Sequence, residues 1–134
     1  MKALLYFIFL VLTNLVLPFH VCGQIQDTSV ITLKKYNILV ADKDRPVLVY
    51  FSADWCGVCN KMKPVIDEIS KRDSLKLKII KIDIDKDVEL KEEFEIDALP
   101  VLMIYVNGCR EWLNIGIINP KELNYIIDHF LKAK

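Results

Sequence analysis

The sequence has 134 residues, which is long enough for one domain with a hydrophobic core and too short for two. Its 18 basic and 18 acidic residues balance, which argues against nucleic acid or an acidic membrane surface as a partner. Hydrophobic residues make up 53% of the chain, a high share for a water-soluble domain, and many of them lie at the N-terminus.

Residues 1–23 are predicted to form a secretory signal peptide that is removed from the mature chain. Lys2 supplies a short basic region, and residues 3–17 form an almost continuous apolar run. Gly23 suits the position before a cleavage site, so we expect the mature domain to span residues 24–134. Export places that domain in the periplasm or another extracytoplasmic compartment, where disulfides can persist.

Two other interpretations of this N-terminal segment remain open. An uncleaved membrane anchor is disfavoured because the apolar run, about 15 residues long, falls short of the roughly 20 that span a bilayer. Lipidation at Cys22 is disfavoured because residues 19–21, Phe-His-Val, are not the small residues that a lipoprotein signal usually carries.

Beyond the signal segment, apolar periodicity predicts one α/β domain with a central mixed sheet of four to five strands flanked by helices. The predicted elements are strand 30–33, helix 35–44, strand 46–51, helix 60–71, strand 77–83, helix 88–94, strand 101–106, strand 110–115 and a last helix capped by Asn119. The continuous apolar run at residues 46–51 indicates a strand buried on both faces. The charged residues 83–95 are expected to form a solvated helix face.

Residues 53–60, Ala-Asp-Trp-Cys-Gly-Val-Cys-Asn, contain a C-x-x-C motif that follows the buried strand. Cys59 is expected in the first turn of the next helix, where free N–H groups and the helix dipole favour a nearby thiolate. The thiolate is the form of cysteine that attacks a disulfide. We therefore predict a redox pair in which Cys56 is the nucleophile and Cys59 resolves the mixed disulfide, with Trp55 as an apolar wall beside them.

A metal site and a static disulfide are the alternatives for this motif. Zinc needs four ligands, and after residue 23 only the isolated Cys109 and His129 remain, so no metal is expected. A disulfide across two intervening residues closes a loop too small to stabilise much. Cys109 is expected to be a half-buried strand cysteine, the alternative being an exposed thiol that dimerises or is modified. His129 is expected on the surface, near the end of the last helix.

Residues 55–59, Trp-Cys-Gly-Val-Cys, resemble the Trp-Cys-Gly-Pro-Cys site of thioredoxins. The similarity is continuous over residues 46–68, and residues 81–87 and 96–108 resemble the family's third strand and its cis-proline loop with the following hairpin. Gly116 falls at the family's glycine after the last strand. The resemblance implies a thioredoxin fold and a thiol–disulfide oxidoreductase whose only redox group is its own disulfide, with no bound cofactor.

The resemblance also implies which other residues shape the site. Gly57 and Val58 lie between the cysteines, and Pro100 should follow a cis peptide bond and pack against them. Lys81 matches a family lysine beneath the active site. The residues expected to line a shallow apolar substrate groove are Ala98, Leu99, Ile115, Gly116 and Ile117.

One departure from the family concerns the proton of the second cysteine. Thioredoxins carry a buried Asp on the central strand that helps to move this proton, and here the matching position is Tyr50. Tyrosine is a poor base near neutral pH because its reference pKa is about 10. Asp54 and Lys81 are the remaining candidates for this proton transfer, and we expect resolution by Cys59 to be slower than in standard thioredoxins.

The residue between the cysteines predicts the direction of the reaction. Oxidases and isomerases of this superfamily usually carry a His at the position of Val58, which stabilises the thiolate and makes the disulfide more oxidising. Val58 therefore predicts a reductase of protein disulfides, which is expected to be a monomer. Its expected clients are exported disulfide-containing proteins or apocytochromes, and its electron donor is a membrane protein. An oxidase or isomerase of the same fold and a non-catalytic thioredoxin-fold binding module are the alternatives.

Overall fold

The computed structural model describes residues 30–133. In chain order its elements are α1 (Leu33–Val40), β1 (Val47–Ser52), α2 (Gly57–Arg72), β2 (Lys78–Asp83), α3 (Val88–Glu93), β3 (Val101–Val106), β4 (Cys109–Ile115) and α4 (Pro120–Lys132). The predicted signal peptide and Cys22 lie outside the described residues. Within the described part, no helix has the length and apolar character needed to cross a membrane.

The strands form one mixed sheet in the order β2-β1-β3-β4. β1 runs parallel to β2 and antiparallel to β3, and β4 returns antiparallel beside β3. The turn between β3 and β4 is Asn107-Gly108, whose φ angles of 53° and 83° are the positive values that a tight hairpin requires. This arrangement confirms the predicted α/β class with a mixed sheet and flanking helices.

β1 is the centre of the hydrophobic core. Every residue from Val47 to Phe51 is buried, as expected for a strand covered on both faces. On one face, the ring of Phe51 lies 6.5 Å from that of Tyr36 in α1 and 5.7 Å from that of Phe94, which ends α3. On the other face, Tyr50 reaches the first turn of α2. β1 therefore positions helices on both sides of the sheet.

α4 begins where its sequence signals place it. Asn119 caps the helix, because its side-chain oxygen accepts the N–H of Lys121 at 2.9 Å. Pro120 takes the first helical position, where its missing N–H costs nothing. Leu123 and Ile127 of this helix are fully buried in the core.

The strand predicted at residues 30–33 is wrong. Thr32 caps α1, since its Oγ1 accepts the N–H of Lys35 at 3.3 Å, and the helix begins at Leu33. The N–H of Ile31 donates to the carboxylate of Asp87 at 2.6 Å and joins no strand. Helix capping by threonine therefore outweighs the β-propensity of the apolar residues around it.

Asp87 is an exception to the solvated face expected for residues 83–95. Its side chain is only 3% exposed. One carboxylate oxygen accepts the N–H of Ile31, and the other accepts the N–H of Asp83 at 3.2 Å. This carboxylate therefore ties the start of the described chain to the turn between β2 and α3.

Tyr36 and Tyr105 form a buried hydroxyl pair between α1 and β3. The hydroxyl of Tyr36 donates to that of Tyr105 at 2.8 Å, and the hydroxyl of Tyr105 lies 3.7 Å from the sulfur of Met103. Burial, together with the hydrogen bond to Tyr105, raises the pKa of Tyr36 far above its ordinary value. Tyr36 therefore stays protonated, and its hydrogen bond to Tyr105 satisfies both hydroxyls inside an apolar layer.

Replacing Tyr36 with Phe deletes one hydroxyl of this pair and keeps the ring. We expect the free energy of unfolding to fall by about 1 kcal/mol, the net contribution of a typical buried hydrogen bond. Urea unfolding at pH 7 measures the change. Tyr125→Phe is the matched control, because Tyr125 is 76% exposed. Equal losses in the two variants would contradict a stabilising role for the buried pair.

Candidate functional site

The two cysteines of the C-x-x-C motif form a disulfide at the junction of β1 and α2. Their sulfur atoms are 2.05 Å apart and their Cα atoms are 5.2 Å apart. Cys56 is 7% exposed and Cys59 is 2% exposed. The outer cysteine is thus the more accessible of the two.

Cys56 also caps α2, which begins at Gly57, earlier than the predicted start at residue 60, and Cys59 lies in its first turn as predicted. The N–H of Cys59 donates to Sγ of Cys56 at 3.1 Å. This bond, together with the positive end of the helix dipole, will stabilise a thiolate on Cys56 when the disulfide is open. The same contact therefore begins the helix and favours Cys56 as the attacking group.

Tyr50 lies beneath the second cysteine. It is 2% exposed, and its hydroxyl donates to the backbone carbonyl of Cys59 at 2.9 Å. Burial raises the pKa of Tyr50; a hydrogen bond with the Ser52 side chain lowers it, and the charge of Asp67 raises it further. Tyr50 is therefore a protonated donor at neutral pH that holds α2 to β1, and it is unsuited to accept a proton.

The surface around the disulfide is apolar and exposed. Trp55 is 69% exposed, and its indole N–H donates to the carboxylate of Asp85 at 2.8 Å. Val58 is 40% exposed. A Cβ added at Gly57 would meet no atom within 4 Å, so packing does not require a glycine there. Asp85 was not identified from the sequence, where it is one of several acids in a charged segment.

The peptide bond between Leu99 and Pro100 is cis. Val101 pairs with Phe51, so Pro100 lies at the end of the sheet from which β1 continues toward the cysteines. The carbonyl of Pro100 accepts the N–H of Gly116 at 2.7 Å, and Gly116 has a φ of 90°, which favours glycine. The proline loop and the end of β4 are thereby joined.

The predicted groove residues lie on these two joined segments. Ile115 and Ile117 are each 62% exposed, Ala98 is exposed and Leu99 is half-buried. Ala98 and Ile115 line a common pocket of about 230 Å³. The same pocket is lined by the charged Glu95, Asp97 and Arg110, and Leu99, Gly116 and Ile117 do not line it. The structure therefore brings only Ala98 and Ile115 of the predicted groove residues into one pocket.

The three candidates for proton transfer share a second pocket, of about 160 Å³, which Cys59 also lines. Its ionisable lining residues are Tyr50, Asp54, Cys59, Lys63, Lys81 and Asp83. The ammonium of Lys81 forms an ion pair with Asp67, and this hydrogen bond is the main reason that the pKa of Asp67 is lowered. Asn60 donates to the backbone carbonyl of Asp54 at 3.3 Å, which holds the loop before the disulfide against α2.

The remaining candidates lie elsewhere. Cys109 is a free and exposed thiol, so the half-buried position expected for it is wrong. It is exposed because it is the first residue of an edge strand that leaves a tight turn. His129 is exposed near the end of α4, with its ring against Phe130. Among residues 30–133, no group of three or more His, Cys, Asp or Glu side chains is placed to hold a metal.

Comparison with known proteins shows that the chain is similar to thioredoxins. The sequence model of the thioredoxin family matches residues 27–129. The chain is 35% identical to a thioredoxin of Rickettsia felis over 103 residues, which cover 77% of this chain and 95% of the relative. It is 34% identical to thioredoxin 1 of a Nostoc species over 92 residues, covering 69% of this chain and 86% of the relative.

Solved structures show the same similarity. A thioredoxin from Plasmodium falciparum superposes with a TM-score of 0.66 at 29% identity, covering 75% of this chain and 96% of that one. Oxidised mitochondrial thioredoxin 3 from Saccharomyces cerevisiae gives a TM-score of 0.64 at 26% identity, covering 73% and 90%. The thioredoxin fold inferred from the sequence is thus confirmed.

The protonation state of Tyr50 can be measured directly. Because burial raises its pKa, the tyrosinate absorbance that is lost in Tyr50→Phe should appear only above about pH 10, the ordinary tyrosine value. The difference between ultraviolet pH titrations of the wild type and Tyr50→Phe isolates this group. A midpoint below that of a free tyrosine would contradict the assignment.

The same shift has a consequence for stability. A raised pKa means that the folded state holds the phenolic proton more tightly than the unfolded chain does. The stabilisation by Tyr50 is therefore complete below about pH 10 and is lost as the pH rises further. The difference in unfolding free energy between the wild type and Tyr50→Phe should be smaller at about pH 11 than at pH 7.

Proposed function

The chain belongs to the thioredoxin family of thiol–disulfide oxidoreductases, and from this premise we propose that it reduces disulfide bonds in other proteins. The observation that carries this proposal is the hydrogen bond from the backbone N–H of Cys59 to Sγ of Cys56 at the start of α2. It gives the outer sulfur a fixed donor for the thiolate that starts the reaction.

In the first step, the reduced Cys56 thiolate attacks one sulfur of the client disulfide. A bond forms between that sulfur and Cys56, the client S–S bond breaks, and the other client sulfur leaves as a thiolate that takes a proton. In the second step, the Cys59 thiol loses its proton and attacks Sγ of Cys56. The Cys56–Cys59 disulfide forms and the second client thiol is released, so two electrons pass to the client.

The exposed apolar surface supports a protein client. Trp55, Val58 and Ile117 expose large apolar side chains, and Ile115 exposes another on β4, whose outer edge is open. An extended client chain can lie along that edge and bring its disulfide to Cys56. Binding through apolar side chains and the backbone accepts many sequences, which suits an enzyme with varied clients.

Val58 supports reduction over oxidation. An uncharged side chain between the cysteines adds no hydrogen bond or charge to stabilise the reduced form, and redox poise follows that stabilisation. We place the potential below about −200 mV, toward thioredoxin at about −270 mV and away from strong oxidants near −120 mV.

The N-terminal sequence supports action outside the cytoplasm, after cleavage near Gly23. We propose that the mature protein acts as a monomer. An exported reductase needs two electrons for each turnover, so a membrane protein that carries electrons across the bilayer is the proposed donor. Misoxidised exported proteins, or apocytochromes whose cysteines must be reduced before haem attachment, are the proposed clients. Each has a disulfide that this chemistry can open.

Insulin reduction tests the activity. With dithiothreitol as the reductant, the wild type should accelerate insulin precipitation, and Cys56→Ser should return the rate to that of dithiothreitol alone because the attacking thiolate is gone. Cys109→Ser is the control and should keep the full rate, since Cys109 lies outside the site. A wild type without acceleration would instead favour a non-catalytic binding module.

The reduction potential tests the direction. Equilibration of the Cys56–Cys59 pair in glutathione buffers should give a value below about −200 mV. Val58→His should raise it by at least about 30 mV, or about 1.4 kcal/mol, because the imidazolium stabilises the thiolate. A wild-type potential close to that of strong oxidants would refute reduction and favour an oxidase or isomerase.

A further inference from the structure

The resolving step requires a proton acceptor for Cys59. Only the thiolate of Cys59 can attack the mixed disulfide, yet its side chain is 2% exposed. Its neighbour Tyr50 does not meet this need, because its hydroxyl donates to the Cys59 carbonyl and burial raises its pKa. The acceptor must therefore be another group that reaches Cys59 directly or through water.

The pocket of about 160 Å³ beside Cys59 offers a route for the proton. This volume is large enough to admit water, which needs about 10–15 Å³ of such space per molecule. The charged residues that line it come from three elements: Asp54 from the loop before α2, Lys63 from α2, and Lys81 and Asp83 from β2. Of these four side chains, the two carboxylates are the possible bases, because a lysine ammonium has no lone pair to accept a proton.

The two carboxylates differ in their partners. Asp83 accepts the N–H of Asp85 at 3.1 Å and forms an ion pair with Lys86 at 3.1 Å. The carboxylate of Asp54 has no hydrogen-bond or ion-pair partner among residues 30–133. Its lone pairs are therefore available to water in the pocket.

We propose that Asp54 is the proton acceptor for Cys59 in the resolving step and acts through water in this pocket. The proton leaves Sγ of Cys59 for a pocket water, which passes a proton to the Asp54 carboxylate and from there to solvent. The Cys59 thiolate then bonds to Sγ of Cys56, the bond from Cys56 to the client sulfur breaks, and the client thiolate takes a proton from solvent. This assignment rests on the proposed function, since it concerns the second step of that reaction.

An aromatic disulfide, dithiobis(nitrobenzoate), separates the two steps. Attack by Cys56 releases the first coloured thiolate, and attack by Cys59 releases the second, so stopped-flow absorbance gives a rate for each. All variants carry Cys109→Ser, because that exposed thiol would also react. The measurement covers the pH range from neutral to alkaline.

Asp54→Asn should leave the first phase intact and slow the second by about tenfold at pH 7. General-base catalysis contributes about 100-fold or more when the base acts directly, and an intervening water reduces that. The two second-phase rates should converge above about pH 10, where thiols ionise without a base. Asp44→Asn is the matched control, because it removes an exposed carboxylate at the opposite end of β1 and should change neither phase. Asp83→Asn should also keep the second phase.

Three results would overturn the assignment while leaving the proposed function intact. They are a second phase in Asp54→Asn equal to that of the wild type, a slowing by the same factor at every pH, and a slow second phase in Asp83→Asn. The second of these would mean that Asp54 only positions the loop. A wild type that releases no second thiolate would overturn the proposed function itself, together with this inference.

Discussion

The burial of β1 on both faces is the constraint on which the rest of the structure depends. This strand pairs with β2 on one side and β3 on the other, so hydrogen bonds hold its backbone from both sides. Its alternating side chains then hold helices on opposite sides of the sheet, Phe51 toward α1 and Tyr50 toward α2. Cys56 and Cys59 follow shortly after the end of β1, so the most buried strand also positions the disulfide.

The site combines features that agree with its family and one that departs from it. The helix start at Cys56, the cis bond before Pro100 and the exposed Trp55 fit a thioredoxin site. Tyr50 departs, because a carboxylate there would take up a proton whereas the phenol donates one to a carbonyl. Tyr50 therefore holds α2 against β1, but it is unsuited to accept the proton of Cys59.

The sequence was sufficient for features that depend on neighbouring residues. The run at residues 46–51, the Asn107-Gly108 turn and the cap at Asn119 each act through local backbone preferences, and each was predicted. The solvated position expected for Asp87 failed because its carboxylate accepts a hydrogen bond from a residue 56 positions away, which no local pattern reports. The strand at residues 30–33 failed for a local reason, because Thr32 caps a helix that begins at Leu33.

Side-chain contacts across the site could not be predicted from the sequence, because they join residues that are far apart in the chain. The hydrogen bond from the indole of Trp55 to Asp85 spans 30 positions, and Asp54 shares a pocket with Lys81 because β1 and β2 are parallel neighbours.

The open edge of β4 affects a property other than catalysis, namely aggregation through strand pairing. Near Cys109, the charges of Arg110 and Glu111 accompany a shift in strand register, and both features oppose aggregation by edge-to-edge pairing. The other end of the edge, where the exposed Ile115 lies, has neither those charges nor the register shift. An unrelated polypeptide chain would therefore pair most readily with the part of the edge beside the disulfide.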